Sequence, residues 1–344
     1  MICPLAIRGI GVAGGFGAGN EAALRAIEQQ TGPNATMQVE TPHGPLDYPV
    51  YRADTALLRE FINPAKLRRI NAYSRLAAIA ACLAIKDAGY NASAPLSNMA
   101  VIVASGYGAS ATTFQFLDDV ILQGDQFASP IQFSNSVHSS AASHITILLQ
   151  IQGPCLTVTQ FEMSTIAALM NAQTWLSEKR VDAVLLGGVD EINPVLLYRY
   201  HRFWSDQVPV KMEPLNYNLQ TAIPGEGAAF MVLTRDEGQP PSYGYLDQIS
   251  WLNVSTFTPP QDTMIISGAD GHRACGQHYQ RMLRGVPQDR VKTFSQIVGS
   301  MPCGQIFDIT LAAIAARKGL LPHRFCSLKT DLDQNAGLVY YENR

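Results

Sequence analysis

GPCLTVTQFEMSTIAAL, Gly153 to Leu169, reads as a tight turn, a short β-branched strand and then a helix. Such a strand-to-helix turn presents one side chain at the helix N-terminus, where unpaired N–H groups carry about half a positive charge. That field lowers the pKa of a cysteine and favours its thiolate. The residue here is Glu162. The same field favours an ionised carboxylate, so Glu162 can sit there without any catalytic task. Toward a thioester it is a far poorer nucleophile than a thiolate.

Working outward, strand and helix signals alternate. Residues 4–12 form a short apolar strand ending in glycines. Asn63-Pro64 reads as an N-cap with proline in the first turn, opening one helix through KLRRINAYSRLAAIAACLAIKDAGY that stops near Gly89. MAVIVAS (99–105) is a continuous apolar run, as in a strand covered on both faces. ATTFQFLDDVILQG and SAASHITILLQIQG carry helical patterns. Then come strand 155–160, helix 163–178 and strands 182–188 and 227–235. GQPPS (238–242) breaks the rhythm and marks a boundary between residues 1–237 and 238–344. Beyond it the spacing predicts strands near 244–253, 263–267, 291–295 and 337–342, with helices near 275–285 and 304–318. The alternation predicts α/β layers on a mostly parallel core sheet.

The chain has 344 residues, 47% hydrophobic and 15% charged, enough to bury a large core. A net charge of −3 without a long basic run argues against nucleic-acid or charge-driven membrane partners. Six scattered cysteines show no C-x-x-C pair and no zinc spacing, so reduced thiols and no metal are expected. MICPLAIRGIGVAGGFG lacks a basic region ahead of its apolar stretch, and the apolar run Leu76–Ile85 is too short to span a bilayer. A cytoplasmic protein is expected.

Gly9-x-Gly11-x-x-Gly14 matches the dinucleotide fingerprint in form, but no helix follows until about Glu21 and no acidic residue stands about twenty residues on. A glycine-rich turn is the better interpretation, and no cofactor is expected. The histidines are scattered in no Ser/His/Asp or Cys/His order, and structural roles are expected for them. GEGAA (225–229) suggests a tight turn whose glutamate accepts backbone N–H groups.

Five blocks together resemble the β-ketoacyl-acyl-carrier-protein synthases of the thiolase-like fold. They are LAIRGIGVAGGFGAG, RRINAYSRLAAIAACLAIKDAG, ASPIQFSNSVHSSAASHITILLQIQGPCLTV, VDAVLLGGVDE and PGEGAAFMVL. The resemblance implies two related βαβ-type halves in an α/β/α/β/α arrangement. The C-terminal half is trimmed, because only TFTPPQ separates two of its strands. It also implies catalytic positions that are all replaced here. Glu162 stands for the family's cysteine and Ser267 for its first histidine. Ser295 stands for its lysine and Ser300 for its second histidine. The glycine-rich loop reads TDLDQNAG, in which Asn335 survives. Without a thiolate there is no acyl-enzyme, and without imidazole donors the developing negative charge is unsupported.

Such a chain resembles the inactive sister of an active synthase, a chain-length factor, and its shortness suggests the aryl polyene type. The resemblance implies a heterodimer with an active β-ketoacyl synthase in polyketide, aryl polyene or fatty-acid-type biosynthesis, meeting acyl carrier protein through that complex. In the family, the segment before the nucleophile reaches the neighbour's acyl tunnel. It corresponds to Gln132, Phe133, Ser134, Asn135, His138, Ser139 and Ser140, with Phe133 the best tunnel stop. For the small residues 139–143, ordinary intrachain packing is the alternative. Two other functions stay open: a malonyl-carrier-protein decarboxylase using Glu162, and a non-catalytic homodimer that binds acyl chains or carrier protein.

Overall fold

The structure, a computed structural model, describes residues 4–91, 94–204, 208–236, 238 and 240–344. Cys3, and Glu237 and Gln239 at the expected boundary between 1–237 and 238–344, lie outside the described residues.

The strands are β1 (Leu5–Gly14), β2 (Gly17–Ala18), β3 (Ala35–Thr41), β4 (Gly44–Val50), β5 (Met99–Ala104), β6 (Cys155–Val158) and β7 (Ala183–Asp190). They continue with β8 (Gly227–Arg235), β9 (Tyr245–Asn253), β10 (Met264–Ser267), β11 (Val291–Lys292), β12 (Arg324–Thr330) and β13 (Asn335–Glu342). Between them run helices α1 (Asn20–Gln29), α2 (Leu58–Phe61), α3 (Pro64–Leu67), α4 (Ala72–Asp87), α5 (Ser110–Gln123) and α6 (Pro130–Ser136). The remaining helices are α7 (Ser140–Leu148), α8 (Ser164–Ser177), α9 (Pro194–Trp204), α10 (Arg273–Met282), α11 (Ser295–Val298) and α12 (Gly304–Arg317).

One sheet runs in the order β11-β10-β12-β13-β9-β1-β8-β7-β5-β6, with β2 paired to β1. Its two ends repeat one pattern. In β6-β5-β7-β8-β1 and in β11-β10-β12-β13-β9, strands counted along each half stand third, second, fourth, fifth, first. The halves meet where Leu5 and Ala6 of β1 pair with Leu246 and Tyr245 of β9. Parallel pairing joins β5 to β6 and β7, and β10 to β11 and β12; the other pairs are antiparallel. The expected mostly parallel sheet is therefore mixed, because the fourth and fifth strands of each half turn back beside the first.

Helices α8 and α12 lie between the halves. α12 is buried from Gln305 through Ala316, and α8 packs against β5 and β7 of one half and β9 and β13 of the other. A helix apolar all round must be covered on all sides, which is why LAAIAA and IAAL show no amphipathic stripe. α4 and α7 cover the outer face of the first half, and α10 that of the second, completing five layers.

Two details depart from the sequence pattern. The long early helix is broken: Asn63 caps α3 by accepting from the Ala65 N–H, and Asn71 caps α4 afresh by accepting from the Ser74 N–H. The hairpin β3–β4 and the strand β12 are additional. Gly9 and Gly11 explain the glycine motif. A Cβ on Gly11 would lie 2.2 Å from the Ala80 carbonyl oxygen, and one on Gly9 would lie 2.4 Å from the Ala88 nitrogen. These glycines let α4 lie directly on β1. Among the described residues, no helix is long and apolar enough to cross a membrane.

Candidate functional site

The Gly153–Leu169 stretch folds as β6, a 3₁₀ turn at Phe161–Met163 and then α8. Phe161 has a positive φ of 47°, a strained value for a non-glycine residue. The turn is pinned by Ser164, whose Oγ accepts from the Gln160 N–H at 2.7 Å and donates to the Ser105 carbonyl at 3.0 Å. Asp190 holds the same region. Its carboxylate accepts from the Gly106 N–H (2.7 Å), the Cys303 N–H (2.8 Å) and Ser105 Oγ (3.1 Å), tying the ends of β5 and β7 to the start of α12.

Glu162 faces a cavity of about 100 Å³ shared with Tyr107, Tyr200, Asp270, His272, Cys275, Ser300, Lys329 and Leu332. Its core is charged. Lys329 Nζ, 2% exposed as a residue, pairs with Asp270 Oδ2 at 3.2 Å and donates to the Gly268 carbonyl at 3.0 Å. Ser300 Oγ donates to the same Asp270 oxygen at 3.0 Å, and Tyr200 Oη lies 3.2 Å from Ser300 Oγ. Asp308 of α12 is also buried beside Lys329, and burial pushes its carboxyl up to about 8 despite that cation. Asp270 is held below the ordinary carboxylate range: burial acts upward, but the Lys329 charge and the hydrogen bonds from Lys329 and Ser300 outweigh it. Lys329, among the carboxyl groups of Asp270, Glu162 and Asp308, is held protonated against its own burial.

Burial raises the Glu162 carboxyl, while Lys329 and its own backbone N–H act in the opposite direction. The sequence-based expectation of a carboxylate made comfortable by the helix end is reversed, because desolvation exceeds the favourable field. The cavity holds one thiol and one imidazole. Burial and the nearby Asp270 and Glu162 charges raise the Cys275 thiol far above its ordinary value. His272 Nδ1 accepts from Gln220 Nε2 at 3.1 Å, and burial keeps the ring neutral. This environment opposes the thiolate that acyl transfer needs.

The sequence-based positions divide. Glu162 and Ser300 line the cavity. Ser267 and Ser295 instead brace the loop after β10: Ser267 Oγ accepts from the Ala269 N–H, and Ser295 Oγ donates to the Ala269 carbonyl at 2.7 Å. Asn335 Nδ2 donates to the Asp331 carboxylate. Lys329, Asp270, Asp308 and His272 were not anticipated. Their signal was faint: a lysine in an otherwise apolar strand, RFCSLKT, and acids in loop or helix contexts that normally face water.

A second feature is an apolar face. Ile121, Leu122, Phe127, Ile131, Phe133 and Ile147 are all exposed across α5, the 3₁₀ turn Asp125–Phe127, α6 and α7. Phe133 is 59% exposed and lies 5.7 Å, centroid to centroid, from Phe116. Gln132, Ser134, His138 and Ser139 lie at the same surface, Gln132 partly buried. Asn135 and Ser140 are turned inward. Asn135 Nδ2 donates to the Arg69 carbonyl and its Oδ1 pairs with His144, while Ser140 meets Ser74. Both serve intrachain packing, so they are removed from the group of surface residues. At this end of the sheet, β6 is an edge strand, paired on one side to β5.

The β-ketoacyl synthase N-terminal domain family matches residues 21–238. No curated protein matches the sequence. Among solved structures, the ishigamide ketosynthase/chain length factor is similar at 16% identity and a TM-score of 0.80, with 99% of both chains covered. A β-ketoacyl synthase from Burkholderia phymatum STM815 is similar at 14% identity and 0.80, with 99% of this chain and 100% of that one covered. The PfaC keto synthase–chain length factor is similar at 17% identity and 0.72, covering 100% of this chain and 43% of that one. These structures share the fold.

Proposed function

Because the chain belongs to the β-ketoacyl synthase family through its N-terminal domain, we propose that it is a chain-length-factor-like subunit. It lacks condensation chemistry and pairs with an active synthase. The observation that carries this is the content of the cavity: a desolvated carboxyl, Glu162, stands at the turn where the family's nucleophile belongs. A carboxyl there forms no thioester acyl-enzyme, and Ser300 offers no imidazole to the developing enolate. The loss of chemistry leaves the partner-facing surface as what the chain contributes.

That surface has the composition of an interface. Its exposed aliphatic and aromatic side chains are costly to leave in water. The open edge of β6 adds unpaired backbone groups beside it. An active synthase of the same fold is the partner, in polyketide, aryl polyene or fatty-acid-type biosynthesis, with acyl carrier protein brought in by the complex. Phe133 is the residue that closes the partner's acyl tunnel. Overpacking against a ring typically costs about 1–3 kcal/mol, enough to slow further elongation by roughly tenfold or more.

The test is Phe133→Ala, co-expressed with the partner synthase. Longer acyl products are expected, and unchanged product length removes Phe133 as the stop. Native mass measurement separates the alternatives. A one-to-one complex with the synthase supports the pairing, whereas a homodimer that ignores every synthase supports acyl or carrier-protein binding alone.

A further inference from the structure

The sheet has a second open end. β11, opposite β6 in the strand order, is paired on one side only, to β10. Beside it lies a groove of about 1110 Å³, walled by the C-terminal half of α10, the loop after it and residues 215–218. Leu215, Tyr217, Leu283 and Val291 give it an apolar lining. Five Asn and Gln side chains and two exposed arginines, Arg281 and Arg284, complete it. Among the described residues no carboxylate lines this groove, and neither guanidinium has an ion-pair or hydrogen-bond partner. Arg290 nearby is committed by contrast, donating to the Pro260 and Thr263 carbonyls. The helix dipole favours a cation in the last turn of α10, which accounts for Arg281. It does not account for the second cation at Arg284 or for the missing counter-charge.

We propose that this groove binds an extended acidic segment of a partner protein, which adds a strand to the free edge of β11. Size favours a chain over a compact ligand. The groove exceeds the roughly 300–1,000 Å³ of small-molecule sites. Leu215 also lines two adjoining hollows of about 440 and 500 Å³, so the groove continues past β11. The strand edge favours a peptide: its unpaired backbone groups are completed by another strand. Asn and Gln side chains, with a donor and an acceptor on one amide, suit a peptide backbone.

Charge selects the acidic sequence. Lys292 stands on the edge strand itself, and a lysine there ordinarily discourages pairing with a further strand. A strand carrying carboxylates turns that lysine into a favourable partner. Across the three hollows four cations, Arg281, Arg284, Lys292 and Lys211, face two carboxylates, Glu28 and Glu213. The site lies at the opposite end of the sheet from the β6 edge, so it leaves the synthase-facing surface free.

The experiment titrates the purified full chain into a fluorescein-labelled peptide of alternating glutamate and valine and reads anisotropy. Saturable binding is expected, and Arg281→Glu/Arg284→Glu should weaken it roughly tenfold, as expected when two exposed ion pairs are reversed. Both positions are exposed, so the variant should keep the wild-type melting temperature. Leu215→Asp should weaken binding too. The same peptide with N-methylated backbone amides should bind roughly tenfold more weakly, because it cannot donate strand hydrogen bonds. Absence of saturable binding overturns the proposal. So does equal binding of the N-methylated peptide, or of one with lysine in place of glutamate. Tighter binding of an oligothymidylate of equal charge would mean a nucleic-acid site instead. Amide exchange should slow at residues 291–293 when the peptide binds; slowing confined to α5–α7 would place it elsewhere and sink the assignment. Pairing with the synthase should be unchanged in Arg281→Glu/Arg284→Glu, and its loss would tie these arginines to the synthase interface and overturn a separate partner.

Discussion

Replacing Lys329 by methionine tests the charged core of the cavity. Methionine keeps most of the side-chain volume but removes the ammonium, leaving Asp270 ionised, 9% exposed and without its cation. Breaking a buried pair by deleting one partner costs about 3–5 kcal/mol. In a chain of this size each kcal/mol lowers the melting temperature by roughly 2 °C, so a fall of about 6–10 °C is expected. Asp308 adds little at neutral pH, because its carboxyl, pushed up to about 8, is already mostly protonated. The pH dependence fixes the mechanism. In the wild type the depressed Asp270 contributes stability above the ordinary carboxylate value of about 3.9, which is lost as pH falls through its lower folded value. The raised Lys329 contributes fully below about 10.4 and has no bearing between pH 4 and 7. In Lys329→Met the main downward influence on Asp270 is gone, and burial, opposed by the Ser300 hydrogen bond, raises its pKa, so protonation relieves the variant. The stability gap to wild type should therefore narrow as pH falls from 7 to 4.5, and Lys329→Met/Asp270→Asn should recover most of the loss. Urea titrations at both pH values measure this. A loss below about 1 kcal/mol at pH 7, or a gap that widens on acidification, refutes the idea that the pair is ionised and coupled.

Further outcomes follow from the same structure. Gly11→Ala brings a Cβ to 2.2 Å from the Ala80 carbonyl oxygen and should cost about 1–3 kcal/mol or more in denaturant titration, without changing any nucleotide binding. Ile121→Asp or Leu122→Asp, at positions 78% and 80% exposed, should leave the isolated chain's stability within about 0.5 kcal/mol and abolish co-purification with the partner synthase. Glu162→Cys should fail to form an acyl-enzyme with an acyl-carrier thioester, as read by intact-protein mass; a quantitative adduct would show the rest of the site to be competent.

Most of the layered scaffold could be read from residue pattern. β8 occupies residues 227–235 as the apolar run indicated, and the continuous hydrophobicity of β5 announced burial on both faces. The pattern failed where local and tertiary signals conflict. A single helix was indicated from Asn63 onward, but Asn71 caps α4 a second time, and apolar periodicity does not register a cap. β12 was missed because RFCSLKT mixes charge into a strand too short for alternation to show, and its lysine looked like a solvent residue. The site was missed for the same reason. Lys329 and Asp270 are far apart in sequence, and only the return of β12 alongside β10 brings them together.

The charged core also bears on why restoring one residue should not restore the enzyme. A thiolate at position 162 would face Asp270, held ionised by Lys329 and Ser300, and burial together with that charge already raises the Cys275 thiol. Of the groups that would offset it, Lys329 is bound to Asp270, His272 is neutral and bonded to Gln220, and the exposed Arg199 guanidinium lies over the Tyr107 ring. Ser300 donates to Asp270, so the hydroxyl proposed to replace an imidazole stabilises a carboxylate. The cluster is thus mutually supporting around negative charge. A site arranged this way stabilises a protonated acid or a base that accepts protons, and it destabilises a sulfur anion. On the proposed reading, condensation chemistry is lost through the electrostatics of several coupled residues, and single reversions act against all of them at once.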